Sequence, residues 1–198
     1  MLKIGITQRV DYIEAINETR DVLDQRWTKL FEENNFIPVP IPNACNVSKF
    51  IDTMELDGIL ISGGNDHNTR TICETACIEY CIKHKLPLFG ICHGMQFIGQ
   101  LFGAQLISIK NHVGICHTVN ITKNAYSIPT GNFCVNSFHN FTLDKIPNGF
   151  SGFATDNDGH CEAMQHNYLP IVAFMWHPER PPLLNWFNRF IKDFYEEH

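Results

Sequence analysis

Short, almost wholly apolar runs alternate with longer amphipathic stretches over the first half of the chain. Residues 3–8, 57–62 and 86–92 read as buried strands, and the proline-interrupted residues 37–42 read as a strand near a sheet edge. Between them, Ile16, Val22, Leu23, Trp27, Leu30 and Phe31 are mixed with charged residues as the inner face of an amphipathic helix requires. Residues 71–84 predict another helix. Met95, Phe97, Ile98 and Leu101 mark the inner face of a third over residues 93–101. Alternation of strand and helix points to a parallel sheet covered on both faces.

The pattern changes in the second half. Residues 105–109, 117–122, 132–138, 152–155, 161–165 and 171–176 are short strand candidates separated by turn residues, with few helices between them, so antiparallel pairs are expected to extend the parallel core. Leu183, Leu184, Phe187, Phe190, Ile191 and Phe194 form the stripe of a final helix, starting after Pro181-Pro182. No linker, repeat or low-complexity stretch interrupts the series. The expected fold is an α/β three-layer sandwich with a mostly parallel central sheet and antiparallel additions, in one domain over residues 1–198.

Composition narrows the function classes. The 198 residues are 44% hydrophobic and 18% charged, typical of a globular chain. A net charge of -6, without a lysine or arginine cluster, argues against nucleic acid as a partner. No apolar run approaches the roughly 20 residues that span a bilayer. The chain enters a strand pattern at once, without the apolar core and cleavage site of a signal peptide. Eight cysteines spread along a chain of ordinary size read as reduced thiols, and a cytoplasmic location is expected. A homodimer is within what the sequence allows.

Chemistry concentrates where the strand over residues 86–92 ends. Gly90-Ile91-Cys92-His93-Gly94 places a cysteine between glycines at a strand-to-helix turn, the layout of a nucleophile elbow. The following helix start favours a thiolate there. Cys92 as one more buried small hydrophobe is the competing reading. A cysteine nucleophile needs a base, and that base an orienting group. Trp176-His177-Pro178-Glu179 offers both at the end of a buried strand, although His177 also reads as a packed residue capping the sheet. Ser62-Gly63-Gly64-Asn65 can turn a main-chain amide toward the nucleophile, with a second amide from His93; two such donors make an oxyanion hole. A plain turn needing positive φ explains the glycines equally well.

Cys73, Cys77 and Cys81 recur every four residues beside Ile78 and Ile82, which favours burial on a helix face over a metal site. The histidines outside the motifs are scattered, and neither a metal nor a cofactor is expected.

Taken together, Gly90-Ile91-Cys92-His93-Gly94-Met95-Gln96, Ile61-Ser62-Gly63-Gly64 and Trp176-His177-Pro178-Glu179 resemble the class I glutamine amidotransferase superfamily, in order and spacing over nearly the whole chain. The resemblance implies a flavodoxin-like sheet, Cys92 as nucleophile, His177 as general acid and base, and Glu179 as its orienting carboxylate. It also implies oxyanion amides from Gly64 and His93, and Gln96 on the glutamyl part of a small γ-glutamyl substrate. Gly5-Ile6-Thr7-Gln8-Arg9, Val135-Asn136-Ser137-Phe138-His139, Gly159-His160-Cys161-Glu162-Ala163 and the histidines at 112 and 117 resemble the stand-alone γ-glutamyl hydrolases, including those acting on γ-glutamyl-γ-aminobutyrate. That branch implies Asn136, Ser137 and His139 as contacts to the glutamyl α-amino and α-carboxylate groups. His139 is equally readable as a supporting residue. The chain departs from the branch in its short segment 65–70, which lacks the usual Asp-Pro and tyrosine and suits a larger or more charged leaving group. Over its whole length it resembles the γ-glutamyl-CDP-amidate hydrolases of capsule phosphoramidate biosynthesis. Arg9 and Arg70, expected at strand ends on the site face, are candidates for the leaving group's phosphates; a solvated surface position is the alternative for each. The competing functions are hydrolysis of γ-glutamyl amines and a glutaminase subunit feeding ammonia to a separate synthetase.

Overall fold

The structure is a computed structural model that describes residues 1–126 and 128–198. In chain order the elements are β1 (Lys3–Thr7), β2 (Arg9–Ile13), β3 (Glu18–Val22), α1 (Arg26–Glu33), β4 (Ile37–Ile41), α2 (Val47–Met54), β5 (Gly58–Ile61), α3 (Asn68–His84), β6 (Leu88–Ile91) and α4 (His93–Leu101). They continue with β7 (Leu106–Ser108), β8 (Val113–Ile121), β9 (Gly131–Phe138), β10 (Phe141–Leu143), β11 (Phe150–Thr155), β12 (Cys161–His166), β13 (Ile171–Phe174) and α5 (Phe187–Glu196).

Among the described residues, nine strands form the main sheet in the order β4-β1-β5-β6-β13-β12-β11-β8-β9. Pairing is parallel from β4 to β13 and antiparallel from β13 to β9. Alternation along the central strands explains the three layers. Ile4, Ile6, Leu60, Phe89, Ile91, Val172 and Phe174 point into one core with Trp27 and Phe31 of α1 and Phe187, Phe190 and Phe194 of α5. Ile59, Ile61, Leu88, Ile171 and Ala173 point the other way, onto Ile51 of α2, Cys73, Cys77 and Cys81 of α3, and Met95 and Ile98 of α4. The three α3 cysteines are therefore core side chains. β4, with two prolines, lies at the sheet edge, where a missing N–H costs no ladder bond.

Three stretches differ from the sequence expectation. The helix expected from Ile16 onward begins only at Arg26; ahead of it β2 and β3 pair as an antiparallel hairpin outside the main sheet. Ile16 and Tyr12 are each 58% exposed, so no buried stripe exists there for a helix to use, and Asn17 at φ 52° provides the left-handed position at the turn. The Asp21 carboxylate accepts from the main-chain and side-chain amides of Asn43, pinning the hairpin beside the end of β4. The second difference is α2, capped by Asn46 Oδ1 accepting from the Lys49 amide and burying only Val47 and Ile51. So narrow a stripe leaves little periodicity to read. The final helix also starts later than Pro181-Pro182 suggests, at Phe187.

Candidate active site

The parallel strands β1, β5, β6 and β13 lie side by side, and at their carboxyl ends stand Thr7, Ser62–Gly64, Cys92 and His177. Open parallel sheets place ligand sites at this edge because loops leave the strands there. Cys92 caps α4 at φ 51° and ψ −103°, a conformation costly for a residue with a side chain. The tight turn is possible because Gly94 approaches so closely that an added Cβ would strike the carbonyl oxygen of Ile61. Helix α4 thus starts against β5, with Cys92 at its N-cap, where the first amides have no acceptor within the helix.

His177 follows β13 and is 4% exposed. Its Nδ1 lies 2.7 Å from Glu179 Oε1, which fixes the proton on Nδ1 and turns Nε2 outward. Burial disfavours charge on the ring, but hydrogen bonding to Cys92 and Glu179 outweighs it and lifts the pKa to about 9. The sheet therefore brings Cys92, His177 and Glu179 together from two strand ends distant in sequence. Gly63 fits beneath the imidazole: a Cβ there would collide with His177 Cε1. Gly64 adopts φ 142°, open to glycine.

A cleft of about 390 Å³ opens over Cys92, lined by Gly64, His93, Gln96, Phe138, His139 and Phe141 among others. Gln96 Nε2 donates to the carbonyl of Phe141 at 2.8 Å, so it reaches across the cleft floor to β10. His139 borders the cleft, but its side chain is 1% exposed, with Nδ1 3.0 Å from the Phe141 carbonyl and Nε2 3.6 Å from Glu162 Oε1. It braces the cleft wall and offers no ring nitrogen to the cleft, which corrects the expectation of a glutamyl contact. Desolvation, aided by the charges of neighbouring histidines, lowers its pKa to about 4.

The other expected contacts lie elsewhere. Arg70 is 0% exposed and belongs to α3, not to a loop. Its Nε donates to Glu74 Oε1 at 2.8 Å, Nη2 to the Ser62 carbonyl at 2.7 Å and Nη1 to the Asn65 carbonyl at 3.2 Å. Glu74, also fully buried, accepts in addition from Thr7 Oγ1 at 2.8 Å and lies 2.8 Å from His93 Nε2. Burial works against its carboxylate, yet His93 and Arg70 hold the pKa below the usual range. This guanidinium is thus consumed in bracing the Ser62–Asn65 turn, which corrects the expectation of a leaving-group contact. Arg9 lies against Gly64 and lines a separate, narrow crevice with Asp24, His177 and Glu179. Asn136 is 2% exposed and wholly engaged: Oδ1 accepts from the His177 amide at 2.9 Å, and Nδ2 donates to the carbonyls of His177 and Arg180, each at 2.8 Å. Ser137 Oγ donates to the His112 carbonyl at 2.6 Å. Both are spoken for by the protein, and neither presents its polar atoms to the cleft.

Sequence reasoning overlooks Glu74 and Arg180. The i,i+4 spacing of Arg70 and Glu74, on the face that carries Cys73 and Cys77, is the available signal. Arg180 Nε lies 3.3 Å from Glu179 Oε1, and its guanidinium sits 5.0 Å from the Phe138 ring centroid. No motif announces it.

Residues 13–192 match the glutamine amidotransferase class-I family, and the chain belongs to it. Among particular relatives, it is 34% identical to the γ-glutamyl-CDP-amidate hydrolase of Campylobacter jejuni, with 92% of each chain covered. It is 29% identical to a glutamine-hydrolyzing GMP synthase subunit of Methanocaldococcus jannaschii, over 70% of this chain and 73% of that one. A crystal structure of a glutamine amidotransferase from Thermotoga maritima superposes with a TM-score of 0.68 at 17% identity, covering 99% of this chain and 83% of the other, which shows the shared fold. Family and relatives together support an amide hydrolase. No helix among the described residues is long and apolar enough to cross a membrane.

Proposed function

We propose that this chain is a single-domain, cysteine-dependent γ-glutamyl hydrolase that cleaves γ-glutamyl-CDP-amidate. The observation that carries the reading is the strained Cys92 at the start of α4, within hydrogen-bonding reach of an imidazole that Glu179 orients. The 34% identity to the Campylobacter jejuni enzyme supports the substrate.

Cys92 Sγ attacks the γ-carbonyl carbon, and the oxyanion is held by the main-chain amides of Gly64 and His93. His177 Nε2 delivers a proton to the departing nitrogen as the C–N bond breaks, leaving a γ-glutamyl thioester and the free amidate. The same Nε2 then removes a proton from water, whose oxygen adds to the thioester carbonyl; the C–S bond breaks and glutamate leaves. Glu179 keeps the imidazole in one tautomer throughout, while Gln96 on the cleft wall binds the glutamyl portion. The reaction requires reduced thiols, and the eight free cysteines fit a cytoplasmic setting.

A second reading, a glutaminase subunit, draws on the M. jannaschii relative. The deciding measurement is glutamate release by the purified chain from glutamine, γ-glutamyl amines, poly-γ-glutamates and γ-glutamyl-CDP-amidate. Unaided turnover of the amidate above the others is expected, with loss of at least about three orders of magnitude in Cys92→Ala. Activity confined to glutamine and dependent on an added synthetase would overturn it, as would full turnover by folded Cys92→Ala.

A further inference from the structure

The antiparallel half of the sheet gathers histidines that are scattered in the sequence. His112 and His117, just before and within β8, meet Asp156 at the end of β11 and Glu162 in β12. One donor atom from each lies within 4.8 Å of all the others. His112 Nε2 is 3.1 Å from Asp156 Oδ2, and His117 Nε2 is 3.5 Å from Glu162 Oε2.

His112 Nδ1 lies 2.9 Å from the Lys110 carbonyl, so Nε2 is the nitrogen that faces the Asp156 carboxylate. His139 has Nδ1 on the Phe141 carbonyl and Nε2 3.6 Å from Glu162 Oε1. One observation calls for a cation between these groups. Both carboxylate oxygens of Glu162 and the Nε2 atoms of His117 and His139 are buried without a hydrogen-bond partner, and Glu162 is 0% exposed. A buried carboxylate without a donor or counter-ion is costly. The separations of Glu162 from His117 and His139, 3.5 and 3.6 Å, are longer than the 2.8 Å between His160 Nδ1 and Asp156 Oδ2, an ordinary charge-assisted pair.

We propose that His112, His117, Asp156 and Glu162 bind one divalent transition-metal ion, best matched by zinc, as a structural centre that pins β8 to the β11–β12 hairpin. Two ligands about 2.0–2.1 Å from a tetrahedral zinc stand roughly 3.3–3.4 Å apart, which the two N···O separations bracket. Two carboxylates with two neutral imidazoles make the loaded site electroneutral, which favours a dication in a buried pocket. Four protein donors leave no open position, as in structural rather than catalytic zinc sites. The donor set is nitrogen and oxygen only, since Cys161 Sγ is directed to the Ala163 carbonyl. His117, with a side chain 12% exposed, provides the entry from solvent. The His112 carbonyl accepts from Ser137 Oγ and the His139 amide, and the Glu162 carbonyl from the Met175 amide. Metal binding thereby stiffens β9 and β13, which carry Asn136 and lead to His177.

Because Cys92 and His177 are themselves able to hold zinc, the test separates the two places. The full chain is stripped with chelator, dialysed against zinc, and measured for bound metal per chain and for Tm. The same is done for Cys92→Ser, His117→Ala and Glu162→Gln. About one zinc per chain with a raised Tm is expected for the wild type and Cys92→Ser, and at least a tenfold weaker affinity for the other two. Cobalt(II) loading of the wild type needs no variant to fold: the expected spectrum has tetrahedral visible bands without a thiolate charge-transfer band. Failure of the wild type to take up stoichiometric zinc, loss of the metal in Cys92→Ser, or a thiolate band would each overturn the proposal.

Discussion

At Cys92 the main chain sits where glycine is at ease and other residues are strained, by about 1–3 kcal/mol. Replacing glycine by alanine ordinarily stabilises through the unfolded chain by about 0.4–1 kcal/mol, so a reversed order at one position isolates strain from lost packing. Cys92→Gly is expected to be more stable than Cys92→Ala by about 1 kcal/mol in denaturant titrations; an Ala variant as stable as the Gly variant would mean that the turn is relaxed. His177 gives a second residue-scale prediction. Its folded pKa of about 9 lies above the ordinary 6.5, because hydrogen bonds to Cys92 and Glu179 overcome the burial that opposes its charge. The folded state therefore binds this proton more tightly. The resulting stabilisation, about 3 kcal/mol, is complete below pH ~6.5 and disappears as pH rises through about 9. Chemical denaturation across that range should show the decline in the wild type and a smaller one in Glu179→Gln. Equal declines would assign the effect to other groups.

At the scale of elements, α3 carries more than its core face. Arg70 and Glu74 project from its first turns beneath the Ser62–Asn65 turn, so one buried ion pair joins β1, β5 and the start of α4 through Thr7, Ser62 and His93. Such a pair stabilises little compared with a well-packed apolar substitute, but breaking it on one side leaves a buried charge. Arg70→Met is expected to cost about 3–5 kcal/mol, with much of the loss regained in Arg70→Met/Glu74→Gln. Denaturant midpoints of the two variants check this, and a double variant no more stable than Arg70→Met would show that Glu74 is not the stranded group. The Cys92 elbow and the His177-Pro178-Glu179 turn are legible in the sequence because each is built from contiguous residues with a chemical requirement at every place. The role of Arg70 is not, since an arginine is normally solvated and only the tertiary approach of Ser62 and Glu74 makes burial tolerable. The β2–β3 hairpin escapes sequence reasoning for a related reason: its exposed faces bury too little for either period to dominate.

Across the whole molecule, a parallel half that supplies Cys92 is joined at β13 to an antiparallel half that supplies support. Strand alternation makes both halves legible, but not their closure around the His177 turn, which depends on β9 returning along the far edge of the sheet. Asn136 is the link. From β9 it pairs with both the amide and the carbonyl of His177 and with the Arg180 carbonyl, clamping the turn as a neighbouring strand would. A substrate contact and a clamp predict different kinetics. Loss of a contact to the bound glutamyl group weakens substrate binding and raises KM; loss of the clamp lets the imidazole drift from Cys92, and a misplacement of about 1 Å can cost about 100-fold in rate. Truncation also strands the buried His177 amide, worth about 1–3 kcal/mol. Asn136→Ala is therefore expected to lower kcat by about tenfold or more with KM little changed, at a temperature where circular dichroism shows the variant folded. A raised KM with kcat intact would return Asn136 to the substrate and detach the antiparallel half from the chemistry.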